Sequence, residues 1–180
     1  MRFDIDSAVE ILSRTPGTIR ALVSGLSDSW TTPNEGAETF SVFDVVGHLV
    51  DGEETDWIPR ARIVLAQGEK NTFEPYDRFR HYERNRGRTL DSLIDELETL
   101  RARNLELLKG WKLGDESLSL TAKHPSLGTV TMSQLLAALV VHDLGYIAQI
   151  SRVMAKQYRD EIGPWARYLP VVTDHERPRS

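Results

Sequence analysis

The chain has 180 residues, 40% of them hydrophobic and 27% charged, which is the composition of one globular domain and not of a disordered segment. Its net charge of −5 and the lack of any long basic run exclude a broad cationic face for nucleic acid. With no cysteine, disulfides, zinc–thiolate centres and a cysteine nucleophile are excluded, and any thiol chemistry needs a thiol from outside.

Helical periodicity dominates the chain from its start. Ser7 and Glu10 have the spacing of a capping box for a first helix. Pro16 interrupts it, and Thr15 stands where it would cap a continuation through Ile19, Leu22, Val23 and Leu26. Ser27 to Phe40 reads as turns. Ser41 opens a second helix with Asp44 at its third position, and Val42, Val45, Val46, Leu49 and Val50 form its apolar stripe. Pro59 is expected to kink or end that helix before the pattern resumes at Ile63, Val64 and Leu65. Gly68 to Arg88 is polar and reads as a long connection.

Thr89 caps a third helix, whose stripe runs through Leu90, Leu93, Ile94, Leu97, Leu100, Leu105 and Leu108, with Gly110 and Gly114 ending it. Leu118 to Thr121 alternates and Gly128-Thr129-Val130 follows, so a short hairpin is expected here. Thr131 and Gln134 make a capping box for a fourth helix from about Met132 to about Glu161, stopped by Gly163-Pro164. Its central part, Leu135 to Ile150, is apolar nearly all round and predicts burial on most sides. The longest apolar run, Leu135 to Val141, is too short to span a bilayer, and the N-terminus lacks a signal-like apolar stretch, so a cytoplasmic protein with no membrane partner is expected. Trp165 and Tyr168 are expected to dock back on the bundle. Residues 1–173 read as one all-α helical-bundle domain and 174–180 as a frayed tail.

Two histidines lie in apolar stretches, His48 in Val45 to Val50 and His142 in Leu139 to Leu144. A buried imidazole needs a hydrogen-bond partner or a metal. Asp51 follows His48 by one turn, Tyr146 follows His142 by one turn, and Gln149 comes one turn later again, so each set shares a helix face. If the second and fourth helices are neighbours, His48, Asp51, His142 and Tyr146 converge on a site for a divalent metal with open positions, able to acidify water or a thiol. The competing reading is that each histidine is a satisfied core residue. His81 and His124 fall in connections and are expected to be solvated, as is His175 in the tail. Glu53, Glu54 and Asp56 read as a solvated acidic face.

The stretches Phe43 to Glu53 with Thr55 to Arg62, and Val141 to Ile150 with Arg152-Val153-Met154, resemble the DinB-like (DinB/YfiT) superfamily of metalloenzymes. That resemblance implies a four-helix bundle of up-down-down-up topology, often a homodimer, holding nickel or zinc through three histidines, one from the second helix and two from the fourth. His48 matches the first position and His142 the second, and Gln149 also matches. The third position is Tyr146, a departure that weakens the expected metal affinity, because tyrosine ligates well only as phenolate.

Two functions follow. In the first, the chain is a metal-dependent hydrolase or thiol transferase acting on a small molecule, with water or an external low-molecular-weight thiol as the activated group. His48, His142 and Tyr146 would be its metal ligands, and Tyr146 and Asp51 its catalytic groups. In the second, the chain is a non-catalytic relative that has lost the three-histidine site, keeps His48, His142 and Tyr146 as a hydrogen-bonded cluster, and serves binding or assembly.

Overall fold

Local capping chemistry decides where most helices begin. The structure, a computed structural model, describes residues 2–67 and 71–173; the start of the long connection at Gly68 and the tail with His175 lie outside the described residues. Helix α1 (Ile5–Leu12) starts earlier than Ser7 implies, because Asp4 is its N-cap and accepts the Ser7 N–H. Helix α2 (Thr15–Val23) follows with Pro16 in its first turn and no side-chain cap, so Thr15 lies inside the helix and not before it. A single turn, α3 (Asp28–Thr31), interrupts the segment expected to be only turns.

Helix α4 (Val42–Thr55) opens on a complete capping box between Ser41 and Asp44. Its axis breaks at Asp56, and α5 (Trp57–Ala66) continues with Pro59 in its first turn. The break falls where the proline ring would meet the carbonyl four residues back. The connection contains the short α6 (His81–Arg84). Helix α7 (Leu90–Gly110) is capped by Thr89, and α8 (Asp115–Ser119) occupies part of the stretch that alternates in sequence. Strands β1 (Thr121–His124) and β2 (Gly128–Thr131) form the expected antiparallel hairpin, with Thr121 opposite Thr131. Helix α9 (Met132–Lys156) starts on the Thr131–Gln134 capping box, and two 3-10 turns, Gly163–Tyr168 and Pro170–Val172, close the described chain.

The helical arms α1–α2, α4–α5, α7 and α9 make the bundle: α4 packs most extensively on α7, and α1, α4 and α5 all meet α9. Two apolar clusters form the core. One gathers Leu12, Trp57, Leu105, Leu108, Leu136 and Leu139; the other gathers Ile19, Val45, Val46, Leu49, Leu93, Leu97 and Ile150.

Two burial expectations fail. Helix α9 is not buried on most sides: Val141 is 68% and Leu144 47% exposed, and they continue a stripe with Ala138, Gly145 and Ala148. Its length and composition would also allow it to cross a membrane, contrary to the reading of its longest apolar run, although here it is packed as one arm of the bundle. Apolar sequence shows what a helix avoids, not which neighbour covers it. Trp165 and Tyr168 are likewise exposed, at 69% and 70%, and do not dock on the bundle.

Candidate functional site

His48 leaves the middle of α4 and His142 the middle of α9, and because these helices pack together the two rings meet. Their centroids are 5.5 Å apart. Tyr146, one turn along α9, lies 5.0 Å from the His48 ring and 4.6 Å from that of His142. Trp57, from the first core cluster, contacts His142 at 5.0 Å, while Tyr146 packs against the second cluster. The site therefore lies at the seam between the two clusters. His142 and Tyr146 also line a cavity of about 840 Å³, together with Gly145, Gln149, Arg152 and Pro170. His48 sits one ring deeper, 5% exposed.

Burial, the neighbouring His142 and His81 together lower the His48 pKa to about 3, against a smaller opposing effect of Asp51, so its imidazole is neutral at ordinary pH. Tyr146 is pushed the other way: burial raises its pKa, partly offset by Arg78. It stays a phenol and a hydrogen-bond donor. The Nδ1 atom of His142 is buried without a hydrogen-bond partner; Asp143 Oδ1 is 4.0 Å away, too far for one.

Asp51 is brought beside His48, but its oxygens are already engaged. Arg80 donates to Oδ1 from Nε at 3.0 Å and from Nη2 at 2.8 Å. The Tyr76 hydroxyl donates to Oδ2 at 2.8 Å, and the Thr55 hydroxyl reaches the same oxygen at 3.4 Å. Tyr76 also lies 3.5 Å from His48 Nδ1. Asp51 thus acts behind His48, as the anchor of a side chain that contacts it, and not as a group open to the cavity.

Sequence reasoning missed Tyr76, Arg80 and His81, all from the long connection. His81 is not solvated: it is 1% exposed, its ring lies 5.6 Å from that of His48 and 5.0 Å from that of Phe40, and neither nitrogen makes a hydrogen bond. Burial lowers its pKa, opposed by Asp44. Beside it, Asn85 presses onto Gly47, where any Cβ would fall 2.1 Å from the amide nitrogen; a glycine is what lets α6 approach α4 here. One signal was available: aromatic residues recur in the connection, and of these Phe73 is buried and Tyr76 half-buried, while Phe79 and Tyr82 stay exposed.

The acidic residues of α4 also differ from expectation. Only Glu54 faces outward; Glu53 is 2% and Asp56 7% exposed. Glu53 pairs with Arg101, and Asp56 with Arg60 at 2.7 Å. Burial raises the Asp56 pKa despite the nearby Arg60. His124 turns its Nδ1 to the backbone N–H groups of Ser126 and Leu127 in the hairpin.

A resident transition metal needs three or four strong donors. The site offers the neutral imidazole of His48, the imidazole of His142, a phenol held away from phenolate, and a carboxylate already taken by Arg80 and Tyr76. Among the described residues no three His, Asp or Glu side chains are grouped to hold a metal ion. The donor set does not fit a three-ligand metal centre.

No curated protein matches the chain. Among solved structures, it is similar to YfiT from Bacillus subtilis, described as a probable metal-dependent hydrolase with an unusual four-helix bundle topology. The TM-score is 0.68 at 22% identity, over 87% of each chain, a likeness that establishes the four-helix fold. The family model of the DinB superfamily matches residues 11–150, a span that takes in His48, Asp51, His142 and Tyr146. The chain belongs to the DinB superfamily.

Proposed function

We propose that this chain binds a small molecule in the cavity beside His142 and Tyr146, and that it does so without a resident metal. This is the binding form of the second function the sequence suggests, except that His48, His142 and Tyr146 meet as packed rings, with His142 Nδ1 unpartnered, and not as the hydrogen-bonded cluster expected. The observation that carries it is the state of the third position: Tyr146 is held as a phenol, Asp51 is engaged by Arg80 and Tyr76, and His81, although its ring lies near that of His48, is not grouped with His48 and His142 as a third ligand among the described residues. What remains is a polar wall of imidazole, phenol and the Gln149 amide beside an apolar helix face, the mixture typical of small-molecule sites.

The test is elemental analysis of protein purified without an affinity tag, beside the Tyr146→His variant. The expected result is far less than one metal per chain in the parent and close to one nickel or zinc in the variant. Stoichiometric metal in the parent would overturn the proposal.

One observation favours the other reading, a metal-dependent hydrolase or thiol transferase in which His48, His142 and Tyr146 hold nickel or zinc. His48 is neutral and backed by a hydroxyl and a carboxylate, as metal-binding imidazoles are. The description of YfiT as metal-dependent points the same way. Stoichiometric metal in the parent, lost in His142→Ala, would establish this version.

The exposed stripe of Val141, Leu144, Gly145 and Ala148 supports a related proposal, that two copies pair along α9 as a homodimer. Sedimentation at micromolar concentration is expected to give twice the chain mass and the monomer for Val141→Glu; a parent that sediments as a monomer rejects the pairing.

A further inference from the structure

We propose that Tyr76 is a positioning residue that fixes the tautomer of His48, so that the site offers its ligand a hydrogen-bond acceptor at Nε2. The inference deepens the small-molecule reading above and rests on it for the identity of the site, but the tautomer itself can be measured with no ligand present.

The argument starts at Asp51. This carboxylate is almost completely buried, and the Tyr76 hydroxyl lies 2.8 Å from its Oδ2. An ionised carboxylate only accepts, so the single phenolic proton is committed to it. Burial and the Asp51 bond both raise the Tyr76 pKa, which keeps that proton in place. The hydroxyl oxygen is then left with lone pairs only, and the group it meets on the other side is His48 Nδ1, at 3.5 Å. Two acceptors facing each other gain nothing, whereas an Nδ1–H donating to the phenolic oxygen completes a chain from imidazole to phenol to carboxylate. In a neutral imidazole only one ring nitrogen carries a proton, so a proton on Nδ1 leaves Nε2 with a bare lone pair.

The other end of the ring agrees. No described residue hydrogen-bonds to His48 Nε2, yet it is not among the buried polar atoms left without a partner, unlike both nitrogens of His81 and Nδ1 of His142. It is therefore the less enclosed ring nitrogen, on a ring that lies directly behind the cavity-lining His142 and Tyr146. Free imidazoles in water prefer the opposite tautomer, with the proton on Nε2, so the arrangement has a consequence that packing alone does not give. With a lone pair at His48 Nε2 and a hydroxyl donor at Tyr146, the complementary ligand carries a hydrogen-bond donor beside an acceptor, as a hydroxy acid, an amide or a protonated amine with a neighbouring oxygen does. Two acceptors without a donor would meet the lone pair unfavourably.

The experiment is two-dimensional nitrogen NMR of the histidine rings in the full chain at pH 7.5, for the parent and for Tyr76→Phe. In the parent, His48 is expected to show a protonated Nδ1 and a pyridine-type Nε2. In Tyr76→Phe the signals should move toward a mixture in which the Nε2–H form gains at least tenfold relative to the parent. A parent with the proton on Nε2 overturns the proposal without any variant, so a poorly folded Tyr76→Phe does not protect it. An unchanged Nδ1–H form in a folded Tyr76→Phe overturns it as well, because another group would then be setting the tautomer. Both results concern Tyr76 alone; failure of the small-molecule reading would appear instead as stoichiometric metal in the elemental analysis.

Discussion

The bundle contains two buried polar clusters, and they are built on opposite plans. The first is centred on Arg101 of α7. Its guanidinium donates to the Leu12 carbonyl at the end of α1 at 2.9 Å, to both oxygens of Asp143 on α9 at 2.5 and 3.1 Å, and pairs with Glu53 on α4 at 2.8 Å. Asn104, one turn along α7, donates to the Glu53 carbonyl and side chain at 2.8 and 2.9 Å. The second cluster is His48, His142 and Tyr146. In the first, formal charges face one another and all four arms are joined. In the second, the groups are two imidazoles and a phenol that come from two arms and stand beside a cavity. Both clusters leave buried atoms without a hydrogen bond, Arg101 Nε and Asn104 Oδ1 in the first and His142 Nδ1 in the second; the difference is that the first is filled by the protein's own paired charges, whereas the second borders a cavity that a ligand can enter.

Electrostatics within the first cluster follow from its paired charges. Burial alone would push the Arg101 pKa down, yet Glu53 and Asp143 outweigh it and hold the guanidinium charged. Burial alone would raise Asp143, yet the two hydrogen bonds and the charge of Arg101 hold it below the ordinary carboxylate range. Removing the central charge therefore strands two carboxylates. Arg101→Met is expected to cost about 3–5 kcal/mol in urea unfolding, the usual result of breaking a buried pair from one side. A loss below about 1 kcal/mol would mean that the cluster is not the structural hub described.

The open cluster has a smaller effect on stability, and of a different kind. His48 and His81 both have lowered pKa values in the fold, His48 from 6.5 to about 3. Between those values the unfolded chain binds more protons than the native one. Stability is therefore complete above pH 6.5 and falls as the pH drops, by at most about 1.4 kcal/mol per unit for each imidazole. Urea midpoints at pH 7.5, 6 and 5 are expected to decline, with a loss of about 2 kcal/mol by pH 5. A separate loss begins lower, where Glu35, lowered to about 2 chiefly by its Arg152 contact, must take up a proton. A flat profile from pH 7.5 to 5 would show that the imidazoles are solvated.

The two clusters also differ in how much of them the sequence discloses. Capping by Ser41–Asp44, Thr89 and Thr131–Gln134 was legible because it is decided within four residues. The meeting of His48 and His142 was legible as a condition, since helical spacing gives each one's face but not the adjacency of α4 and α9. What reaches a face from a distant connection was not legible. Asp51 shares a face with His48, as its spacing says, yet Tyr76 and Arg80 arrive from the connection and convert an apparent ligand into an anchor. His81 was misread because α6 is a single turn, too short for periodicity to register. Glu53 looked like part of a solvated acidic run because its partner, Arg101, lies 48 positions further along.

The most direct test of the account is stepwise addition of zinc to metal-free parent protein, read on the ring signals of His48 and His142. The account predicts that both move together and only gradually, without saturating near one equivalent, because two imidazoles share the space and, among the described residues, no third His, Asp or Glu is grouped with them. Sharp saturation at one zinc per chain would contradict it, and so would a shift of one ring while the other stays still.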